Sequence, residues 1–394
     1  MGKKKLTKRE KQKLNKMAIK HWRVTIAIVI LVVMFVTLAY FMGWLDKWFK
    51  PRVIPSEAGG HSTTMTELKD LEVHFLDIGQ GDCIIIELPD DRNMIIDSGD
   101  LSDENKDVIE NFTRANKIDT FDYMLLTHQD KDHVGNMDWV LENYDVNYIF
   151  RPSNYSDDPI SSKLPSDFNI KTAAKFSTTE IYAKFMVKAY EEKCKVEIFN
   201  KDSDFSNKII YNENEYSYKF DFLTPIAERE KIDFGDSNND YSPIMTLEFG
   251  GKKVMFTGDA EDKNIKQYVQ TYGNANNIDV LKVGHHGSEN ATTQAFIDAI
   301  DPEVAIIQCG QNNQYGHPHS KTLDILGNHE GGVTIYRNDT NGHITLKIPY
   351  SSDYSIDLEK DDCSQNYVPG VDPDTLKFGL DYNTYFNNRK CLVA

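Results

Sequence analysis

Residues Phe121 to Leu126 form a largely apolar run that ends directly in Thr127-His128-Gln129-Asp130-Lys131-Asp132-His133. The run reads as a buried strand. A strand that ends in two histidines and two aspartates creates a site at its carboxyl end. Whatever fold the chain adopts must bring that strand end to an accessible edge. Imidazole and carboxylate side chains bind divalent metals, and closely spaced ligands from one loop can hold two ions side by side. The plainer alternative is a polar loop that is rich in Asp and His by composition alone.

The surrounding pattern supports a folded body. Leu71–Asp77, Cys83–Leu88 and Asn93–Ile96 read as strands broken by turns, followed by a helix over Asn105–Asn116. Phe121–Thr127 and Val146–Phe150 are strands that flank a helix over Val134–Tyr144. After a Pro-punctuated stretch, Thr178–Cys194 has helical character, with Ile181, Phe185, Met186 and Tyr190 along one face. Strand patterns resume at Tyr216–Leu223, Ile244–Phe249, Lys253–Thr257, Val280–Val283 and Val304–Gln308, with a helix over Thr293–Ile300. Val333–Arg337 and His343–Ile348 read as a hairpin joined through Asn341-Gly342. This mixture predicts a sandwich of mixed sheets with outer helices, in the α/β (α+β) class, rather than a doubly wound parallel fold.

Further polar motifs stand at strand-to-loop junctions: Asp77-Ile78-Gly79-Gln80-Gly81-Asp82, Ile96-Asp97-Ser98-Gly99, Thr257-Gly258-Asp259, Gly284-His285-His286-Gly287-Ser288 and Tyr315-Gly316-His317-Pro318-His319. Each alone is an ordinary turn or loop. Together they place most of the acidic and histidine candidates at strand ends, where an active site would collect them.

With these residues in this order, the chain resembles the metallo-β-lactamase superfamily. More narrowly, it resembles the extracellular metallo-β-lactamase domain of ComEC-type DNA-uptake proteins and its stand-alone relatives. The resemblance covers roughly residues 71–348 and implies an αββα sandwich with a dinuclear metal site at one edge. Carried over, His128 and Asp130 would bind one ion and Asp132 and His133 the other, with Asp259 bridging. His285 would be the downstream ligand, with His286, His317 or His319 as alternatives. The histidines not used as ligands would contact substrate or protonate the leaving group, and Asp97 would orient the ligand loop. Asp77, Gln80, Asp82 and Ser288 would face substrate, although a turn serine is an equally good reading of Ser288. Gly79, Gly81 and Gly287 would let backbone approach the substrate. The helix beginning near Val134 would add N–H groups for an anion.

Two departures from the superfamily pattern matter. Asp130 stands where a histidine is usual, which makes the site richer in oxygen and more favourable to Mn²⁺, with Zn²⁺ still open. No histidine lies between His133 and His285. Asn238-Asn239-Asp240-Tyr241-Ser242 is the matching region, and Asn238, Asp240 or Ser242 could supply an oxygen there. Both departures argue against ordinary β-lactamase chemistry and leave metal-assisted phosphodiester hydrolysis open.

Charge and hydropathy divide the 394 residues. Residues 1–23 hold ten of the 44 Lys/Arg and one of the 61 Asp/Glu, leaving 34 against 60, a balance of −26, for the rest. A body this acidic will not hold nucleic acid through bulk charge. Val24 to Leu45 is uncharged and, at 1.5 Å per residue, spans roughly 33 Å, close to a bilayer core. The basic cluster before it predicts a cytoplasmic N-terminus. The expected organisation is a basic cytoplasmic segment 1–23, a single transmembrane helix 24–48 and a linker 49–69. A hydrolase domain 70–350, with an insertion at 151–215, and an extension 351–394 follow. Among the five cysteines, Cys83 and Cys309 read as core residues.

The expected function is a membrane-anchored extracellular hydrolase using two divalent ions (Mn or Zn), most plausibly a phosphodiesterase or nuclease acting on single-stranded DNA. The alternatives are hydrolysis of another ester class (a teichoic acid or lipid phosphodiester, or a lactone) and a non-catalytic surface binding module.

Overall fold

The computed structural model describes residues 61–152, 180–226, 237–274 and 277–360. The expected basic segment 1–23, the anchor 24–48, the start of the linker and all but the first ten residues of the extension 351–394 lie outside the described residues. No helix among the described residues is long and apolar enough to cross a membrane.

The strands are β1 His61–Thr64, β2 Leu71–Phe75, β3 Ile84–Glu87, β4 Asn93–Ile96, β5 Thr120–Leu125, β6 Asp145–Arg151, β7 Lys195–Ile198, β8 Asp204–Tyr211 and β9 Asn214–Phe222. They continue as β10 Met245–Phe249, β11 Lys252–Phe256, β12 Val280–Lys282, β13 Val304–Ile307, β14 Thr334–Arg337, β15 Ile344–Ile348 and β16 Ser355–Leu358. The helices are α1 Asp103–Asn116, α2 Lys131–Val134, α3 Met137–Asn143, α4 Glu180–Glu191, α5 Asp262–Tyr272, α6 Gln294–Ile300, α7 Ser320–Gly327 and the short α8 Asn338–Asn341.

They assemble into two eight-stranded sheets, β16-β15-β2-β3-β4-β5-β6-β7 and β1-β8-β9-β10-β11-β12-β13-β14. Both sheets are mixed. Each has a hairpin-rich antiparallel part and a parallel part, β4 to β7 in one and β11 to β14 in the other. Parallel neighbours need crossover connections, and these are helical: α1 to α4 on the first sheet and α5 to α7 on the second.

Period-2 alternation selects the face each strand buries. In β2, Leu71, Val73 and Phe75 enter the core between the sheets; in β9, Tyr218, Phe220 and Phe222 do the same. Phe205 of β8 stacks on Tyr123 at 4.3 Å and on Phe150 at 5.3 Å, tying one sheet to the other. A second apolar cluster lies under α1, α3 and α4, and a third under α5, α6 and α7. The result is the αββα sandwich the resemblance implied. Helix α1 begins cleanly because Ser102 accepts a hydrogen bond from the Asn105 backbone N–H at 3.0 Å.

Several boundaries differ from the sequence reading. Within the expected linker 49–69, β1 pairs in parallel with β8. The expected insertion 151–215 is not a separate unit from α4 onward, because α4 packs on one sheet while β7 and β8 add strands to both. The expected hairpin at 333–348 does not form. β14 pairs with β13 and β15 with β2, in different sheets, and α8 carries the chain between them. The extension contributes β16, so the body runs past residue 350. Cys83, Cys194 and Cys309 are free thiols, and Cys83 and Cys309 are buried.

Candidate metal centre

The carboxyl ends of the parallel strands in both sheets meet at one edge of the sandwich. The loops after β4, β5, β11, β12 and β13 supply Asp97, the 127–133 segment, Asp259, His285-His286 and His317 respectively.

The centre of the arrangement is one oxygen. Asp259 Oδ2 lies 3.2 Å from His133 Nε2, 3.4 Å from His286 Nε2, 3.7 Å from His285 Nε2 and 3.9 Å from His128 Nε2. Asp132 Oδ2 is 3.2 Å from His286 Nε2, and Asp130 Oδ2 is 3.8 Å from His128 Nε2.

Every one of these imidazoles is held by its other nitrogen. His133 Nδ1 donates to Asp97 Oδ2 at 2.8 Å. His286 Nδ1 donates to the Gln308 carbonyl at 2.9 Å, and His285 Nδ1 donates to Glu261 Oε1 at 2.7 Å. Thr127 Oγ1 gives its own proton to Asp97 Oδ2 at 2.6 Å, so it accepts from His128 Nδ1 at 3.1 Å. These bonds engage each Nδ1 and leave each Nε2 facing Asp259.

The Nε2 atoms of His128, His133 and His286, and Asp259 Oδ1, are buried without a hydrogen-bond partner. Buried polar atoms rarely remain unsatisfied, and several converging on one point fit a bound cation. Three-residue sets that could hold an ion include His128, His133 and Asp259, and Asp132, His133 and His286.

Electrostatics fit the same reading. Burial pulls the His133 imidazole down, but the carboxylates of Asp259, Asp97 and Asp132 outweigh it and hold its pKa well above the ordinary value. Burial likewise opposes the His286 proton, yet Asp259, Asp132 and Asp82 push its pKa up to about 10. Burial raises the Asp259 and Asp132 carboxyls, but the facing imidazoles hold both below their usual range. Protons thus gather on the histidines as the positive charge that a divalent cation would supply instead. His128 is the exception, since burial and the charge of His133 lower it, leaving a neutral ring.

The backbone is specialised here. His285 and His286 both adopt left-handed conformations, φ 45° and 53°, which turns two successive rings toward one edge. Gly258, at φ +48°, lies where a Cβ would meet the Thr127 and Ser242 Cβ atoms at 2.9 Å.

Several expected site residues sit differently from the sequence reading. Of the downstream candidates, the His286 ring is buried in the cluster with Nε2 3.4 Å from Asp259 Oδ2, while His285 stands half-buried at the mouth with Nε2 at 3.7 Å. Asp82 does not face substrate. It is buried, with Oδ2 2.7 Å from Lys282 Nζ and Oδ1 3.3 Å from His286 Nδ1. Ser288 is buried as a turn serine whose hydroxyl accepts from the Asn290 N–H.

Asp77 points toward Lys360 at 3.7 Å, and its N–H donates to His343. Gln80 bridges the mouth by another route, its amide 3.4 Å from His317 Nδ1 and its carbonyl accepting from the Gly310 N–H. His317 stands at the mouth, 5.3 Å ring to ring from His285. Burial and the neighbouring imidazoles push its pKa down to about 3, which leaves the ring neutral. His319 is used in the loop: it accepts from the Glu289 N–H and donates to the Tyr315 carbonyl.

The backbone contacts expected of Gly81 and Gly287 are made within the protein, against the Asp132 carbonyl and Pro318. The expected helix Val134–Tyr144 is broken into α2 and the short α3, and Asn136 before α3 is tied to the carbonyls of Ser98 and Asp100 at 2.8 Å. Helix α2 begins within the ligand loop itself, with Asp130 at its N-cap.

The segment lacking a histidine is close to the ligand loop. Asn238 donates to Asp130 Oδ1 at 2.7 Å, and Ser242 Oγ is 3.2 Å from His128 Nδ1. Asp240 turns away and accepts from the Asn264 N–H. Sequence reasoning missed Thr127, Glu261 and Gln308 as ring-holding partners, and Lys282 as the partner of Asp82 beside His286. Lys282 left a signal, as a lone charge inside the apolar Val280–Val283 run.

The model of the metallo-beta-lactamase superfamily matches residues 76–155, which include the whole 127–133 segment. ComE operon protein 3 of Bacillus subtilis (strain 168) is 29% identical over 291 residues, 70% of this chain and 33% of that protein. Recombination protein 2 of Haemophilus influenzae is 36% identical over 97 residues, 25% of this chain and 12% of that protein. Competence protein ComA of Neisseria gonorrhoeae is 33% identical over 123 residues, 31% of this chain and 17% of that protein. The chain therefore spans a third or less of the length of these relatives. It resembles the metallo-β-lactamase superfamily, and within it the ComEC-type proteins, and it has the two mixed sheets of that fold.

Proposed function

We propose that this chain is a metal-dependent phosphodiesterase that cleaves single-stranded DNA outside the cell, anchored to the membrane through residues 24–48. The observation that carries the hydrolytic reading is the convergence of four imidazole Nε2 atoms on Asp259 Oδ2, three of them buried and unsatisfied. In this reading His128, Asp130 and Asp259 hold one ion, and Asp132, His133, His286 and Asp259 hold a second. Bound divalent ions lower the pKa of water toward neutrality and offset charge on phosphate oxygens.

The chain's own residues do the rest. Asp97 orients His133 and Thr127 together, and Thr127 in turn orients His128. Asn238 fixes the Asp130 carboxylate, leaving its Oδ2 toward His128. His285 is half-buried at the mouth, and Asp259 and Glu261 outweigh its burial and raise its pKa. It is the group placed to hand a proton to a departing oxygen. The competence relatives and the carboxylate at Asp130 support a phosphodiester over a lactam. The acidic balance of the body counts against a long nucleic-acid track and keeps open a second reading, hydrolysis of another ester class such as a teichoic acid or lipid phosphodiester or a lactone.

The test uses the full-length chain with Mn²⁺ or Zn²⁺ on single-stranded DNA, a generic phosphodiester and a lactone. Cleavage of DNA is expected, falling at least about a hundredfold in Asp132→Ala/His133→Ala. Full activity in that double variant would rule out the metal mechanism. Cleavage of the other esters without DNA would select the second reading, and binding without turnover of any substrate would make the chain a binding module.

A further inference from the structure

The mouth of the cluster carries an aromatic side chain that the fold keeps out of the core. Tyr315, in the loop after β13, is 56% exposed, more than any other large hydrophobic side chain among the described residues. Its ring stacks on His317, with centroids 5.7 Å apart and planes at 23°. His317 in turn lies 5.3 Å from the His285 ring and 6.0 Å from the His286 ring. An unbroken series of rings therefore runs from the metal-ligand cluster to solvent.

The exposure is built in. Asn313 Oδ1 accepts from the Tyr315 N–H at 3.1 Å and from the His317 N–H at 3.0 Å. Its Nδ2 donates to the carbonyls of Gly310 at 2.9 Å and His317 at 2.6 Å. His319 Nε2 donates to the Tyr315 carbonyl at 3.2 Å. Burying a large apolar side chain stabilises a fold by about 1.5–3 kcal/mol, and this loop forgoes much of that contribution. Five hydrogen bonds from the loop's own side chains thus fix the backbone that carries the exposed ring, which pre-organises it to meet something flat.

Charge narrows what that is. Lysines in the segments flanking the mouth are neutralised, Lys131 by Asp100 at 2.7 Å and Lys321 by Glu289 at 3.4 Å. With a net charge of −17, the chain has no excess of cations to grip a phosphate backbone. Beyond the ions at the cluster, a strand held without that grip is held by its bases, and aromatic stacking is the available means.

We infer that Tyr315 is a nucleobase-stacking platform: an unpaired base of a single-stranded nucleic acid lies on its ring while a neighbouring phosphodiester sits at the Asp259 cluster. The inference rests on the phosphodiesterase reading and specifies its substrate as a strand with unstacked bases. In a duplex the faces of each base are already covered by its neighbours.

The experiment compares an oligothymidylate with a base-free deoxyribose-phosphate oligomer of equal length, using the full-length chain. Binding is read by fluorescence anisotropy, and cleavage with Mn²⁺ by kcat/KM. The base-bearing strand is expected to be preferred about five- to a hundredfold in both readouts. That preference should fall toward one in Tyr315→Ala and persist in Tyr315→Phe and Tyr315→Trp. An unchanged preference in Tyr315→Ala, or its loss in Tyr315→Phe, would overturn the platform, as would equal cleavage of both oligomers by the unaltered chain. Base-dependent binding that Tyr315→Ala abolishes, with neither oligomer cleaved, would keep the platform and overturn the phosphodiesterase reading.

Discussion

Lys282 and Asp82 form an ion pair with side chains only 1% and 2% exposed, which sets a residue-scale test of how His286 is aimed. Removing one partner of a buried pair strands the other charge and typically costs about 3–5 kcal/mol, whereas replacing both is often close to neutral. Lys282→Met is therefore expected to lower the thermal midpoint strongly, and the double variant Asp82→Asn/Lys282→Met to recover much of that loss. If the pair acts through His286, the double variant still binds the second ion about 10- to 100-fold more weakly, as for other residues that orient a ligand ring. Native ion affinity in the recovered double variant would mean the pair serves stability alone. At this scale the sequence was legible where partners are local. His128, Asp130, Asp132 and His133 share one loop, and Thr257-Gly258-Asp259 follows one strand. Asp82 was placed toward substrate through the resemblance alone. Its partner stands at the end of β12, and no local signal joins the two.

At the scale of elements, strands and helices with strong periodicity were readable, and their pairings were not. The alternation in β2 and β9 gives their buried faces directly. The Asn341-Gly342 pair suggested a two-residue turn and hence a hairpin. The structure instead uses Asn338, whose Nδ2 donates to the carbonyls of Phe75 at 3.0 Å and Gly342 at 2.6 Å. Those bonds pin α8 to β2 and send β15 into the opposite sheet. β1 escaped notice because His61-Ser62-Thr63-Thr64 has no apolar alternation, and its backbone is satisfied by pairing with β8. The downstream histidine was ambiguous for the same kind of reason. The choice among His285, His286, His317 and His319 depends on the left-handed turn at 285–286 and on which ring the Gln308 carbonyl captures.

At the scale of the whole molecule, a strongly acidic body follows a basic, apolar N-terminal region. The proposed anchoring places the body outside the cytoplasmic membrane, so protease added to intact cells should remove it; a body protected until the cells are opened would contradict that orientation. The same acidity explains why a nucleic-acid substrate would have to be held by metal ions and stacking, with little help from surface lysines. The central claim is that the edge where both sheets end is a metal centre that cuts phosphodiesters. The most direct measurement titrates Mn²⁺ into chelated full-length chain while following cleavage of a single-stranded oligonucleotide in the same samples. The account predicts about two ions per chain, from the two-metal geometry, with cleavage rising as the second binds and absent in Asp259→Asn. Fewer than one tightly bound ion with Mn²⁺, Zn²⁺ or Co²⁺, or full occupancy with no more cleavage than Asp259→Asn shows, would contradict it.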